Sequence, residues 1–142
     1  MFYQLLIALA FYSNILGAEA DNGPTISEPP FDTYVGNDKA ANLPCVVEGE
    51  QESTQTKYNI TWYHNGKKVI FGPNKEKEGP FPLPKGGLFF IVVKRDDLGK
   101  YYCNVTDPKS KKWTVSKEIT LGFADEITLS SSSTYRKTDG ID

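Results

Sequence analysis

The sequence predicts an all-β fold, a two-sheet antiparallel sandwich, from three observations. Short segments in which apolar and polar residues alternate recur along the chain, and no segment carries a convincing helical stripe. Turn residues separate these segments at short intervals, which is typical of sandwiches. Two cysteines, Cys45 and Cys103, fall at inward positions of two such segments, where a bond between them would join two sheets.

Composition limits the classes of function. The chain has 142 residues, with 16 basic and 18 acidic side chains. That near-balance argues against a nucleic-acid binder and against a polybasic membrane-surface protein. The inventory of two cysteines and one histidine is too small for a zinc cluster, and we predict no cofactor.

Residues 1–20 predict a secretion signal. Leu5–Tyr12 is an apolar core too short to span a bilayer, and Ala18-Glu19-Ala20 fits the small-residue cleavage rule. The alternative is an apolar first strand or helix of the fold. With the signal removed, we expect one domain over residues 21–123 and a polar C-terminal tail over residues 124–142. No later stretch is apolar for long enough to span a membrane, so the predicted location is secreted or extracellular.

Secretion changes the meaning of the two cysteines. In an oxidising compartment two cysteines tend to pair, so we predict a disulfide between Cys45 and Cys103. The long loop between them would contribute about 4 kcal/mol on the chain-entropy model. A free reactive thiol is the alternative.

The first half of the chain predicts two strands and a hairpin. Leu43–Val47 and Asn59–Trp62 alternate with period two, and Asn65-Gly66 is a strong short hairpin signal. The hairpin would return through a strand over Lys68–Phe71. Gly72–Gly87 is rich in Gly, Pro and charge, which indicates a loop or an irregular edge.

The second half predicts three more strands, Leu88–Val93, Lys100–Thr106 and Trp113–Phe123. Alternation within each strand predicts which side chains enter the core. These are Leu88, Phe90 and Val92 on the first, Tyr101, Cys103 and Val105 on the second, and Ile119, Leu121 and Phe123 on the third.

Two aromatic residues complete the predicted core. Trp62 would pack its indole on the disulfide. Tyr101 stands two residues before Cys103, as a tyrosine corner requires, so its hydroxyl would bond back to the backbone of the preceding turn. Gly99 permits a tight turn there, and Asp97 can cap it.

The combined pattern resembles an immunoglobulin-superfamily domain, most similar to the I-set type, over residues 24–123. The residues that carry the resemblance are Cys45, Trp62 and Asp97-x-Gly99-x-Tyr101-x-Cys103. The sequence departs from the family pattern at three places, and the first is the somewhat long spacing of 17 positions between Cys45 and Trp62. Pro44 lies in the strand that holds Cys45, where its missing N–H would interrupt a hydrogen bond of the ladder. The arginine that often pairs with the aspartate of the corner in variable-type domains is absent.

A closer resemblance is to the first immunoglobulin domain of roundabout-type axon guidance receptors, through Thr25–Pro30, Leu83–Phe90 and Val115–Lys117. This resemblance implies binding of a leucine-rich Slit ligand, with heparan sulphate assisting. A receptor would continue into a second such domain, but residues 124–142 hold no second set of these motifs. Two hypotheses follow: the extracellular N-terminal part of a longer cell-surface receptor, or a stand-alone secreted effector such as a decoy or defence protein.

Catalytic chemistry is not indicated. His64 adjoins the hairpin turn without a nucleophile in any inferable geometry, so we predict a solvent-exposed turn histidine. Asp96 and Asp97 could form a carboxylate pair, but Asp97 is better explained by the corner turn. We therefore expect a binding protein and not an enzyme.

Two sequons predict N-linked glycans at Asn59 and Asn104. Alternation places both asparagines on the outer face, because Ile60, Cys103 and Val105 point inward. Chance occurrence on polar strand faces is the alternative.

A basic turn is the candidate binding loop. Lys109, Lys111 and Lys112 precede Trp113, and this set would suit an acidic protein or a sulphated glycan. Trp113 is the candidate anchor, since it brings a large contact area at low entropy cost. A soluble basic turn without a partner is the alternative.

Overall fold

The protein is described by a computed structural model over residues 23–50, 56–72 and 79–127, and its regular structure there is almost entirely β. The strands are β1 (Ile26–Glu28), β2 (Thr33–Val35), β3 (Ala41–Leu43), β4 (Val46–Val47), β5 (Asn59–His64), β6 (Lys67–Lys68), β7 (Phe81–Pro82), β8 (Leu88–Phe90), β9 (Gly99–Thr106), β10 (Trp113–Val115) and β11 (Ile119–Phe123). A 3₁₀ turn occupies Arg95–Asp97, and the described residues after β11, 124–127, are helical.

The first layer is a sheet in the order β2–β11–β9–β5–β6, and β10 also pairs with β9. Its neighbours are antiparallel except β2, which runs parallel to β11. The eight-residue strand β9 lies at the centre and pairs with β5 from Asn59 opposite Thr106 to His64 opposite Tyr101. This long register sets where the outer-face residues of β5 and β9 meet.

The second layer consists of two small sheets, β3–β8–β7 and β1–β4. Leu43–Val47 was predicted as one strand, but Pro44 and Cys45 separate β3 from β4. Because proline has no N–H, it cannot continue a ladder of hydrogen bonds, and the two pieces pair with different strands. Cys45 at the break forms a disulfide with Cys103 of the first layer.

The core between the layers has the composition that the alternation predicts for a sandwich. Leu88 and Phe90 of β8 are fully buried, as are Trp62 of β5 and Tyr101 of β9. The other buried apolar residues are Ala41, Leu43, Cys45, Val47, Val93, Cys103, Val105, Ile119, Leu121 and Phe123. The predicted all-β sandwich with a disulfide between its sheets is confirmed.

The predicted return strand over Lys68–Phe71 is wrong in extent. Strand β6 ends at Lys68, and the Val69 N–H then donates to the Trp62 carbonyl oxygen at 2.8 Å. Beyond this bond the chain leaves the sheet, so Ile70 is 71% exposed. The apolar run there is a surface segment and not a core strand.

Two later strands also differ from the prediction. Strand β8 ends at Phe90, the chain bends at Ile91 and Val92, and Val93 enters the core in place of Val92. The bend shifts the alternation by one residue, which no local pattern signals. The predicted final strand divides into β10 and β11, with residues 116–118 between them.

The predicted secretion signal over residues 1–20 lies outside the described residues, as does most of the predicted tail over residues 124–142. None of the helices within the described residues is long and apolar enough to cross a membrane.

Candidate functional site

A tyrosine corner closes the end of the sandwich at the start of β9. The Tyr101 hydroxyl donates to the Asp97 carbonyl oxygen at 2.5 Å, and the Asp97 carboxylate accepts the Lys94 N–H at 2.8 Å. The Asp97 side chain therefore caps the 3₁₀ turn by accepting a backbone N–H. Gly99 takes a φ of +137°, a conformation that favours glycine. Burial of the phenol, and secondly the charge of Asp97, raise the pKa of Tyr101.

His64 supports the corner and is not the exposed turn residue that we predicted. It is the last residue of β5 and is half-buried, with its ring stacked on Tyr101 at 4.3 Å between centroids. Its Nε2 lies 2.9 Å from the Leu98 carbonyl oxygen. The pairing of His64 opposite Tyr101 across β5 and β9 produces this stack, and that pairing is invisible in a local pattern.

Trp62 lies beside the disulfide in the register of the sheet, directly opposite Cys103. Its indole Nε1–H donates to the Gly86 carbonyl oxygen at 2.8 Å. Gly86 is buried with a φ of +103°, and a Cβ there would collide with the Ile60 side chain and lie 2.6 Å from the Cys45 carbonyl oxygen. The indole, the glycine and the disulfide thus form one closely packed group.

The basic turn between β9 and β10, which we call the lysine turn (residues 107–112), is built around Asp107. The Asp107 carboxylate accepts the Lys109 N–H at 2.8 Å, and its own N–H donates to the Lys112 carbonyl oxygen at 2.8 Å. The Lys111 N–H donates to the Asp107 carbonyl oxygen at 2.9 Å. The Lys109 N–H is the main cause that lowers the pKa of Asp107, with smaller contributions from Ser110 and Lys57.

The lysine turn presents its charges to solvent. Lys109 and Lys111 are exposed, Lys112 is half-buried, and Trp113 at the start of β10 is 64% exposed. Lys57 was not predicted to belong to this surface. Its charge also acts on Asp107, and its ammonium lies 5.1 Å from the Tyr58 ring centroid. Pairing of β5 with β9 brings this lysine to the lysine turn, since Asn59 lies opposite Thr106.

Both sequon asparagines lie on the outer face of the first layer. Asn59 is exposed at the start of β5, while Asn104 is half-buried in the middle of β9. Among the described residues, the Asn104 Oδ1 is a buried side-chain oxygen without a hydrogen-bond partner.

Metal binding has no candidate in the part of the chain that the structure describes. There, no group of three or more His, Cys, Asp or Glu side chains is placed to hold an ion. Asp97, the residue that most resembled half of a carboxylate pair, accepts a backbone N–H within the corner turn.

A two-layer sandwich with a disulfide between its layers, a buried indole and a tyrosine corner is the combination of features that marks an immunoglobulin-type domain. The chain belongs to the immunoglobulin domain family, whose family model matches residues 23–107. The superfamily predicted from the cysteine, tryptophan and tyrosine positions is therefore confirmed.

Two named proteins of similar sequence also support the predicted resemblance to roundabout-type receptors. The chain is 35% identical to roundabout homolog 3 from Homo sapiens over 88 residues, which cover 58% of this chain and 6% of that protein. It is 34% identical to protein sidekick from Drosophila melanogaster over 83 residues, which cover 58% of this chain and 4% of that protein. The chain thus spans a small fraction of the length of these relatives.

A solved structure agrees on the fold. The M4 domain of titin matches with a TM-score of 0.53 and 20% sequence identity, over 73% of this chain and 98% of that chain. At this identity the match shows the immunoglobulin fold alone.

Proposed function

We propose that the domain is a non-enzymatic extracellular recognition module of the adhesion or guidance-receptor type, which binds a protein ligand through the lysine turn and Trp113. The observation that carries the proposal is the meeting of exposed Lys109 and Lys111, exposed Trp113 and nearby Lys57 at one end of the first layer. The identity to roundabout homolog 3 and to protein sidekick supports the same class of function.

The lysine turn suits binding because it is already ordered. Its backbone hydrogen bonds around Asp107 hold the turn in one conformation, so a partner need not supply the entropy cost of ordering it. Trp113 offers a large apolar surface beside the charges, which is the combination found at the centre of strong interfaces. The lysines would steer an acidic partner toward this end of the domain.

The resemblance to roundabout-type receptors suggests the ligand class, a leucine-rich Slit-type protein, with heparan sulphate as the assisting polyanion. Heparan sulphate would present sulphate and carboxylate groups to the lysine turn. The ammonium groups of Lys57, Lys109 and Lys111 come from two different segments, which would let an extended sulphated chain contact more than one of them.

The experiment measures association of the secreted full chain with a Slit-type ligand, with and without heparin. A Lys109→Glu/Lys111→Glu variant should lower the association rate by about tenfold and flatten its salt dependence. The matched control is Lys67→Glu/Lys68→Glu, which makes the same charge change on the exposed strand β6 beyond the opposite end of β5. Absence of association for the unaltered chain in both conditions would overturn the guidance-type ligand, and equal losses in both variants would overturn the lysine turn as its site.

The stand-alone effector is the competing outcome. It differs from the receptor hypothesis in what the full-length transcript encodes. A transcript that runs on into further immunoglobulin or membrane-spanning segments supports the receptor module. Transcripts that always stop after Asp142 would favour the secreted effector.

A further inference from the structure

The two sequons pair with each other across the sheet. Asn59 of β5 lies opposite Thr106 of β9, and Thr61 of β5 lies opposite Asn104 of β9. Residues directly opposite on antiparallel strands point to the same face, so both asparagines and both threonines share the outer face. Any glycan on either sequon therefore leaves from the same surface.

Asn104 has an apolar neighbour on its other side. Val115 of β10 lies directly opposite Asn104, and Trp113 lies opposite Thr106, one diagonal step away. Diagonal neighbours on paired strands are roughly 7–8 Å apart, which is within reach of an indole and of a sugar ring attached to the asparagine. Trp113 is 64% exposed and Val115 is 42% exposed, so together they form an apolar surface open to solvent.

The Asn104 amide has one buried end. Its Oδ1 is buried and accepts no hydrogen bond among the described residues. Among the described residues, the amide nitrogen of the same side chain is not such a buried atom without a partner. The nitrogen is the atom that an N-linked glycan uses.

We propose that Asn104 carries an N-linked glycan whose first sugar lies over Val115 and the indole of Trp113. The C–H face of a pyranose is apolar, and contact with an exposed aromatic face removes apolar surface of both groups from water. Tyr63 and Tyr102 are the competing platform on this face, but their half-buried rings already stack on each other at 4.8 Å between centroids. Trp113 is the more exposed ring and the one left for the sugar.

This inference rests on the proposed function in one respect, because it makes the glycan a regulator of the same site. A sugar over Trp113 would cover the apolar anchor while the exposed Lys109 and Lys111 stay accessible to a polyanion. The glycosylated and bare forms of the domain would then differ in protein binding more than in heparin binding.

The test needs no ligand, so its result is independent of whether the proposed function holds. Trp62 and Trp113 are the two tryptophans of the chain, and Trp62 is 1% exposed. Quenching of fluorescence by acrylamide therefore reports on Trp113, which a Trp113→Phe variant verifies. We compare secreted full-length protein from cells that make high-mannose glycans with the variants Asn104→Gln and Asn59→Gln, using intact mass to count glycans.

We expect acrylamide to quench Trp113 fluorescence weakly in the unaltered and Asn59→Gln proteins. In Asn104→Gln, which lacks the covering glycan, we expect strong quenching. Endoglycosidase H, which leaves one sugar on the asparagine, should keep Trp113 protected. Peptide N-glycosidase F, applied to protein that still carries the whole glycan, cleaves the bond between the first sugar and the asparagine and should expose Trp113, which keeps the test valid if Asn104→Gln fails to fold. Two results would overturn the proposal. One is a secreted protein with no glycan on Asn104, and the other is a glycan on Asn104 that leaves Trp113 as accessible to acrylamide as in Asn104→Gln. Restored quenching in Asn59→Gln alone would assign the cover to the other glycan and overturn it too.

Discussion

At the scale of single residues, Tyr101 shows how one side chain can serve the core and a turn together. Its ring is buried and meets Phe90 edge-to-face at 5.9 Å between centroids, while its hydroxyl reaches the Asp97 carbonyl oxygen. The ring contributes apolar burial, and the hydroxyl satisfies a carbonyl at the end of the 3₁₀ turn. Position two before Cys103 was enough to predict this role from the sequence.

Tyr101→Phe tests the hydroxyl. The variant keeps the ring but loses the hydrogen bond, so the free energy of unfolding should fall by about 1–3 kcal/mol at neutral pH. Because the folded pKa of Tyr101 is raised above the ordinary value of 10.0, its contribution is complete below about pH 10 and is lost as pH rises through the folded pKa. Urea unfolding from pH 7 to 11 should show a smaller alkaline loss in Tyr101→Phe than in the unaltered chain. The same fall in the free energy of unfolding with rising pH in both proteins would contradict the role of the Tyr101 hydroxyl.

Gly86 shows a second residue-scale constraint, which is steric. A methyl group there meets the Ile60 side chain and the Cys45 carbonyl, and the positive φ of +103° adds backbone strain. The glycine itself was visible in the sequence, but its neighbours come from β5 and from the segment between β3 and β4. Its closeness to the disulfide could not be predicted without the fold.

Gly86→Ala should lower the free energy of unfolding by about 3 kcal/mol or more, from strain and overpacking together. Gly66→Ala is the matched control, because Gly66 also has a positive φ, +77°, but nothing lies within 4 Å of the place that an added methyl group would take. The control should lose only about 1 kcal/mol. Chemical denaturation of both variants measures the difference, and equal losses would show that packing around Gly86 contributes nothing.

At the scale of elements, the lysine turn is stabilised by its first residue. The Asp107 carboxylate bonds to the N–H two residues later, which is an Asx-turn, and the following backbone bonds allow Lys111 a φ of +63°. The position of the turn was predicted from the sequence, but Lys57 reaches it only through the pairing of β5 with β9.

Replacing Asp107 tests how the turn holds its shape. Asp107→Ala should lower the melting temperature at pH 7. Asp107→Asn keeps an oxygen acceptor, so its melting temperature should stay close to that of the unaltered chain. Since the folded pKa of Asp107 is lowered from 3.8, its ionised form contributes stability above that pH, and the contribution is lost as pH falls through the folded pKa. In scanning calorimetry between pH 5 and 2, the melting temperature of both variants should therefore fall less than that of the unaltered chain. A melting temperature for Asp107→Ala equal to that of Asp107→Asn would rule out the capping bond as the source.

At the scale of the whole molecule, the disulfide joins the two layers. Cys45 and Cys103 are separated by 58 positions, and both are fully buried in the common core. A link across so long a loop restricts the unfolded chain strongly. It also ties the interrupted β3–β4 segment to the central strand β9.

Cys45→Ala/Cys103→Ala should lower the free energy of unfolding by about 4 kcal/mol on the chain-entropy model. Guanidinium unfolding of the double variant, and of the unaltered chain with and without reductant, measures it. The reduced unaltered chain is the internal control, because it keeps both sulfur atoms in the core. Intact mass showing two free thiols in secreted material would contradict the bond itself.

The amino-acid order alone was sufficient for the fold class and for much of the core. Alternation and side-chain size act within a few residues of each other, so Trp62, Tyr101, Leu88 and Phe90 could be assigned to the core from local patterns. Those local rules failed where the backbone departs from regular strand, as at Val92, whose predicted core position belongs to Val93. They also missed the stack of His64 on Tyr101, which depends on strand pairing.

The folded chain alone shows which segments meet. It pairs Asn59-Ile60-Thr61 with Asn104-Val105-Thr106, places Val115 and Trp113 beside the second sequon, and brings Lys57 to the lysine turn. Register between distant strands depends on hydrogen bonds and core contacts that form across the whole sheet, and no period within one segment encodes them. The candidate binding surface is made by such contacts between segments, whereas the sandwich that carries it follows from patterns within them.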